Sequence, residues 1–230
     1  MRRTYQNIAV LLAGGEGKRV GGNIPKQLQT LSDGRTVLQT CIDTFRECSA
    51  IDDIWVVMHR DWMSFVPQGV HVIEGGKERW ESSYRAVQSL NRQCDADKTN
   101  VWIHDVARPF VSQAILQRVD EAIQKYEAVS VAVPVTDTVY EVRSSFCSSH
   151  VTEDLTLQSI PARSSLMRAQ TPQVFRLRLI TKAFAQAVAD TNDIQATDDA
   201  GIVLRYMPET LIHIVQGEET NRKITFRTDL

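Results

Sequence analysis

Two rhythms alternate along the chain. Apolar-rich runs at 8–12, 54–58, 70–73, 101–103 and 129–133 predict short strands buried on both faces. Between them, apolar residues recur at helical spacing. Val37, Leu38, Cys41, Ile42 and Phe45 predict a helix over 37–45, and Tyr84, Val87 and Leu90 predict one over 82–90. A third amphipathic helix is predicted over 115–126, and two more over 180–189 and 198–205 before a last strand at 211–215. This succession predicts an α/β fold: a doubly wound, mostly parallel sheet with helices on both faces. Residues 137–170 break the rhythm. The stretches 138–142 and 151–160 alternate weakly around the polar run 144–150, which predicts a β-hairpin arm over 137–160 inserted in one domain spanning 1–230.

Composition narrows the class. The hydrophobic share is 43%, charged residues make up 23%, and the net charge is -2, so no overall basic field argues for nucleic acid. No apolar run approaches the ~18 residues that would span a bilayer. The first apolar stretch is short and runs straight into glycines, against a secretory signal, and a cytoplasmic protein is expected. Cys41 and Cys48 are expected as small core residues, with no CxxC pair, and the five histidines are too scattered to suggest zinc.

The candidate chemistry begins after the first strand, in LLAGGEGKRVGGNIPKQ (11–27). It carries five glycines and the cations Lys18, Arg19 and Lys26 against the single carboxylate of Glu16. Glycines directly after a buried strand let a ligand approach the backbone, and ligands of α/β sheets sit at the carboxyl ends of strands. Two familiar phosphate loops fail to match. A nucleoside-triphosphatase loop needs GK followed by Ser or Thr, but Gly17-Lys18 is followed by Arg19; the dinucleotide fingerprint needs a third glycine where Val20 stands. What remains is a surface turn, or a loop whose N–H groups face phosphates with Arg19 and Lys26 on its limbs. The latter suits attack on a polyphosphate, where prepositioned cations stabilise charge building on the oxygens.

Further motifs follow in order: GGxxRxxS (Gly75, Gly76, Arg79, Ser82), HDxARP (from His104), PVxDT (from Pro134), RSSLxxAQTPQxF (from Arg163), TDDA (from Thr197) and NxKIT (from Asn221). Together with the glycine loop they resemble the cytidylyltransferases that act on polyol phosphates, and most closely the 2-C-methyl-D-erythritol 4-phosphate cytidylyltransferase family, whose sister family acts on ribitol 5-phosphate. The resemblance covers nearly the whole chain. It implies an enzyme of isoprenoid synthesis that takes CTP, a polyol phosphate and Mg2+ and releases a CDP-alcohol and pyrophosphate, working as a homodimer clasped through the arm.

The resemblance also implies roles. Arg19 and Lys26 would stabilise the transition state. Ala13, Gly14, Gly15 and Gly17 would line the CTP phosphates, Gly76 and Ser82 would contact the cytosine, and Arg79 would stand close by. Asp105 would lie near the ribose and the polyol with Arg108 beside it; Thr138 and Thr171 would line the polyol side; Arg163 and Lys223 would grip the polyol's phosphate. The sequence assigns no residue to the metal. Duller readings stand beside these: Asp105 capping its own loop, Arg163 as a solvated arm residue, Asp198 and Asp199 serving only the dipole of the helix they open. His104 is read as a structural hydrogen-bonding residue, because a phosphate nucleophile is already ionised near neutral pH. The chain departs from the family at Tyr140, where a lysine is common. Two other functions stay open: a non-catalytic nucleotide-binding relative, and a sugar-1-phosphate nucleotidyltransferase using UTP or dTTP.

Overall fold

The structure is a computed structural model that describes residues 4–15, 24–143, 155–190, 194 and 196–229. Gly17, Arg19 and the tip of the arm lie outside the described residues.

The central sheet has seven strands in the order β3-β2-β1-β4-β8-β5-β9. They are β1 (Gln6–Leu12), β2 (Asp53–Met58), β3 (His71–Glu74), β4 (Thr99–Asp105), β5 (Ala128–Pro134), β8 (Met167–Arg176) and β9 (Ile212–Gln216), with β6 (Glu141–Arg143) and β7 (Thr156–Ser159) forming a separate antiparallel pair. The buried runs read from sequence become strands because both sheet faces are covered. In β1, Ile8, Val10 and Leu12 enter one core, while Ala9 and Leu11 enter the other. The helices α1 (Val37–Glu47) and α3 (Gln113–Ile123) cover one face; α2 (Arg79–Gln93), α4 (Leu177–Ala189) and α5 (Asp199–Tyr206) cover the other. Side-chain oxygens of Thr36, Ser112 and Asp198 accept from the first-turn amides of α1, α3 and α5 and so fix where these helices start.

The doubly wound, mostly parallel architecture expected from the sequence is the one observed. One strand departs from it. β8 lies antiparallel between β4 and β5, in a stretch that periodicity leaves unassigned. Its buried positions include Gln170, Thr171 and Gln173, so the apolar signal is absent although the strand is central. Pro172 is tolerated because the β5–β8 ladder shifts register between Ser130 and Ala132.

The register places the site. Leu12 pairs with Asp105 across β1 and β4, both at carboxyl ends, and β3, paired with β2 through Met58 and Glu74, ends on the same side of the sheet. The glycine loop, Asp105 and the Gly75-Gly76 turn therefore emerge on one rim of the sheet. The β6–β7 pair stands apart, with Tyr140, Val142, Leu155, Leu157 and Ile160 exposed. Among the described residues no helix is long and apolar enough to cross a membrane.

Candidate active site

On that rim lies a cavity of about 460 Å³. Of the residues singled out in the sequence, Ala13, Gly14, Gly15, Lys26, Gly76, Arg79, Ser82, Asp105 and Lys223 line it. Four separate motifs thus converge on one space.

Each wall has a local cause. Pro25 precedes a short 3-10 turn, Lys26–Leu28, that carries Lys26 to the rim, where its Nζ donates to the Ile224 carbonyl at 3.0 Å. The next residue, Gln27, is buried, and its Nε2 donates to the carbonyls of Ala13 and Gly15. A trans peptide unit sets its N–H opposite its C=O. With the Ala13 carbonyl turned toward Gln27, the Gly14 N–H is directed away from it. At the second wall, Ser82 Oγ accepts from the Gly76 N–H at 3.0 Å and donates to the Glu78 carbonyl, folding the 75–78 turn onto the start of α2. A Cβ on Gly76 would collide with the Cβ of Glu81, so this close turn requires glycine.

The third wall is ionic. Asp105 Oδ1 accepts from Arg79 Nε at 3.0 Å, and Oδ2 accepts from Lys223 Nζ at 2.8 Å. Arg79 Nη1 lies 2.8 Å from Oδ2 of Asp199, which is completely buried. Burial alone would raise the Asp105 pKa, but Arg79 and Lys223 outweigh it and hold the carboxyl well below the usual carboxylate range. Burial works against the charge of Arg79 as well, and Asp199 and Asp105 more than offset it. Asp105 is therefore bound to cations that favour its ionised form, and its side chain is not employed in capping its own loop.

The other predicted residues sit elsewhere. Thr171 is buried and does not line the cavity; its Oγ1 accepts from the Asp105 N–H at 3.2 Å and bonds His104 Nδ1 at 2.9 Å. His104 Nε2 meets the Arg108 carbonyl at 3.0 Å, so Nε2 carries the proton, Nδ1 accepts, and the Thr171 hydroxyl donates to it. Burial lowers the His104 pKa to about 4. This is the structural histidine expected from the sequence. Arg108 does not line the cavity either: its guanidinium donates to the carbonyls of Asn221 and Ala169, bracing the 221–225 segment against β8. Arg163 donates to the Thr136 carbonyl at 2.7 Å, and with the exposed Thr138 it lies at the foot of the arm, outside this cavity.

Sequence reasoning gave no site role to Gln27 or Lys77, and for Asp199 it weighed a site role against service to the helix dipole alone. Lys77 lines the cavity beside Gly76, in a position its motif leaves variable. For Asp199, the only signal was its place in TDDA. Among the described residues no group of three His, Cys, Asp or Glu side chains could hold a metal ion.

The geometry has counterparts among known proteins. The sequence profile of the family described as 2-C-methyl-D-erythritol 4-phosphate cytidylyltransferase matches residues 7–230. A 2-C-methyl-D-erythritol 4-phosphate cytidylyltransferase of Thermobifida fusca is 37% identical over 96% of this chain and 89% of its own. A bifunctional ribulose 5-phosphate reductase/CDP-ribitol pyrophosphorylase of Haemophilus influenzae is 34% identical over 98% of this chain and 47% of its own. The crystal structure of the Francisella tularensis 2-C-methyl-D-erythritol 4-phosphate cytidylyltransferase superposes with a TM-score of 0.79 at 27% identity, over 97% of this chain and 96% of that one.

Proposed function

The chain belongs to the 2-C-methyl-D-erythritol 4-phosphate cytidylyltransferase family, and on that premise we infer that it transfers CMP from CTP to 2-C-methyl-D-erythritol 4-phosphate in isoprenoid biosynthesis. An oxygen of the acceptor's phosphate attacks the α-phosphorus of CTP, a new P–O bond forms, and the bond to the β-phosphate oxygen breaks to release pyrophosphate. The observation that carries the reading is the convergence on one cavity of the glycine loop, Lys26, the Gly76–Ser82 turn and the Asp105–Lys223 pair.

We assign the residues as follows. Gly14 and Gly15 take the triphosphate against backbone N–H groups, and Gly76 and Ser82 take the base. Lys26, with Arg19, stabilises charge on the non-bridging oxygens as the α-phosphorus becomes five-coordinate. Lys223 receives the acceptor's phosphate, and Arg163 and Thr138 serve the acceptor from the arm. Arg108 and Thr171 act from behind the wall, through the backbone and through His104. No general base is needed, because the nucleophilic phosphate is already ionised. Asp105, held ionised, orients its partners and moves no proton.

Mg2+ is part of the reading, carried by substrate phosphates and water: both oxygens of Asp105 are committed to Arg79 and Lys223, and among the described residues no group of three His, Cys, Asp or Glu side chains could hold the ion. When bound, the ion would supply further positive charge to the phosphate oxygens. A homodimer through the arm is supported by the exposed apolar side chains of β6, β7 and their flanks. A cytoplasmic setting follows from two charged, phosphorylated substrates.

The deciding experiment incubates the protein with CTP, Mg2+ and one acceptor at a time, and follows pyrophosphate. Release with 2-C-methyl-D-erythritol 4-phosphate is expected. Release with ribitol 5-phosphate alone would move the enzyme to the sister reaction, and release with neither would refute the reading.

A further inference from the structure

Asp199 is a fully buried carboxylate on the first turn of α5, and it does not line the cavity. Its placement is over-determined from the side away from the nucleotide loops. Gln173 of β8 accepts the Asp199 and Ala200 N–H groups on one oxygen, at 3.1 and 3.0 Å, while its Nε2 donates to Asp198 Oδ2 at 2.7 Å. Asp198 in turn caps Gly201. The two neighbouring acids therefore have different tasks: Asp198 fixes the helix start, and Asp199 is left to face Arg79.

From Asp199 four charges alternate in a chain: Asp199, Arg79, Asp105, Lys223. Successive contacts are 2.8, 3.0 and 2.8 Å, and the formal charges cancel. Arg79 lines the cavity, so it faces any triphosphate bound there. A guanidinium held only by Asp105 could be drawn to the phosphates, and Asp105 would then lose the partner on Oδ1 that orients it. A second carboxylate behind the wall, 2.8 Å from a different nitrogen, holds the fork by charge and keeps Nε on Asp105. Burying a carboxylate costs several kcal/mol, and an apolar pair of similar volume is often as stable, so packing alone gives little reason to keep a charge here.

We propose that Asp199 is a positioning residue for the transfer reaction: it locks Arg79 so that Asp105, and through it Lys223, keep the geometry that receives the acceptor. This rests on the functional reading above. It assigns Asp199 no contact with either substrate.

The test combines kinetics of Asp199→Asn, Arg79→Gln and the double variant with crystal structures of the parent and Asp199→Asn. Parent turnover is measured first. In Asp199→Asn, kcat/KM for the acceptor should fall roughly 30-fold while the CTP KM stays within about three-fold. In the double variant the loss should not exceed that of Arg79→Gln alone, because Asp199 acts through Arg79. Unchanged acceptor kinetics, equal effects on both substrates, or losses that multiply in the double variant would overturn the proposal. If Asp199→Asn does not fold, Asp199→Glu, which keeps the charge and shifts it by one methylene, is measured instead, with the same selective loss expected; failure of both to fold would make Asp199 a stability residue and end the proposal. A parent without turnover sinks the functional reading separately. The crystal structures then decide the positioning claim, and an Arg79–Asp105 contact unchanged in Asp199→Asn overturns it.

Discussion

Lys223 Nζ lies 2.8 Å from Asp105 Oδ2, across 118 positions of sequence. The contact joins the carboxyl end of β4 to the segment after β9, and it is reinforced nearby by the Ile224 N–H donating to the Ala107 carbonyl at 2.7 Å. The lysine is partly exposed and the carboxylate mostly buried, so the pair presents a cation to the cavity from a fixed anchor.

Replacing the anchor tests it. Asp105→Asn keeps the shape but removes the charge that aligns Lys223 and one of the two that hold Arg79. We expect kcat/KM to fall about 100-fold or more, in the range seen when a charge-positioning contact at a reacting centre is lost. Steady-state pyrophosphate release against acceptor concentration measures it. A variant within a few-fold of the parent would remove Asp105 from the site.

Lys26 makes a different claim. It is assigned to charge that develops only in the transition state, so Lys26→Ala should lower kcat by about 100- to 1,000-fold with little change in the CTP KM. The backbone of its 3-10 turn, with Gln27 buried beneath it, should keep the fold intact, as circular dichroism would report. A variant that raised KM and spared kcat would make Lys26 a ground-state binder.

Much of this arrangement was legible in the sequence, and the part that was not has a physical reason. Strands β1, β2 and β4 announce themselves because both faces are buried, which forces apolar residues at successive positions. β8 is just as central, yet its buried residues Gln170, Thr171 and Gln173 are polar, satisfied by Asn221, His104 and Asp198 respectively. Burial of polar groups is affordable only with partners, and those partners are remote in sequence. The same blindness explains Thr171, expected on the polyol side but committed to His104 and the Asp105 amide. Asp199 shows the limit most clearly: a helix-start acid reads as a dipole partner, and only the fold reveals Arg79 beside it.

Gln27 is a site residue that motif reading passed over, and it makes a sharp prediction. Its buried amide donates to two loop carbonyls. Gln27→Glu replaces the donor with an acceptor facing those carbonyls, which would force the 13–15 peptides to turn. A buried polar group left unsatisfied costs about 1–3 kcal/mol, so the CTP KM should rise roughly tenfold or more. An unchanged CTP affinity, measured by calorimetry on the folded variant, would show that the loop holds its shape without Gln27.

His104 links the site to stability. Its ordinary pKa of 6.5 falls to about 4 in the fold, chiefly because burial opposes the charged ring. The neutral tautomer also fits its neighbours, accepting at Nδ1 from Thr171 and donating at Nε2 to the Arg108 carbonyl. Between these two values the unfolded chain binds a proton that the folded chain refuses, so stability rises with pH across the window. Taken from the upper value downward, the histidine's contribution is intact above about 6.5 and is lost as pH falls toward about 4, by roughly 3 kcal/mol in all. Asp105, with a lowered pKa, adds its own loss only below the ordinary carboxylate range, and Asp199, pushed up by burial, acts in the opposite sense. His104→Gln removes the histidine while leaving both acids. Urea unfolding of parent and variant across the window should therefore give a steeper pH dependence for the parent. Parallel curves would mean that the folded chain takes up this proton as readily as the unfolded one, and would dismiss the neutral, Thr171-bonded ring.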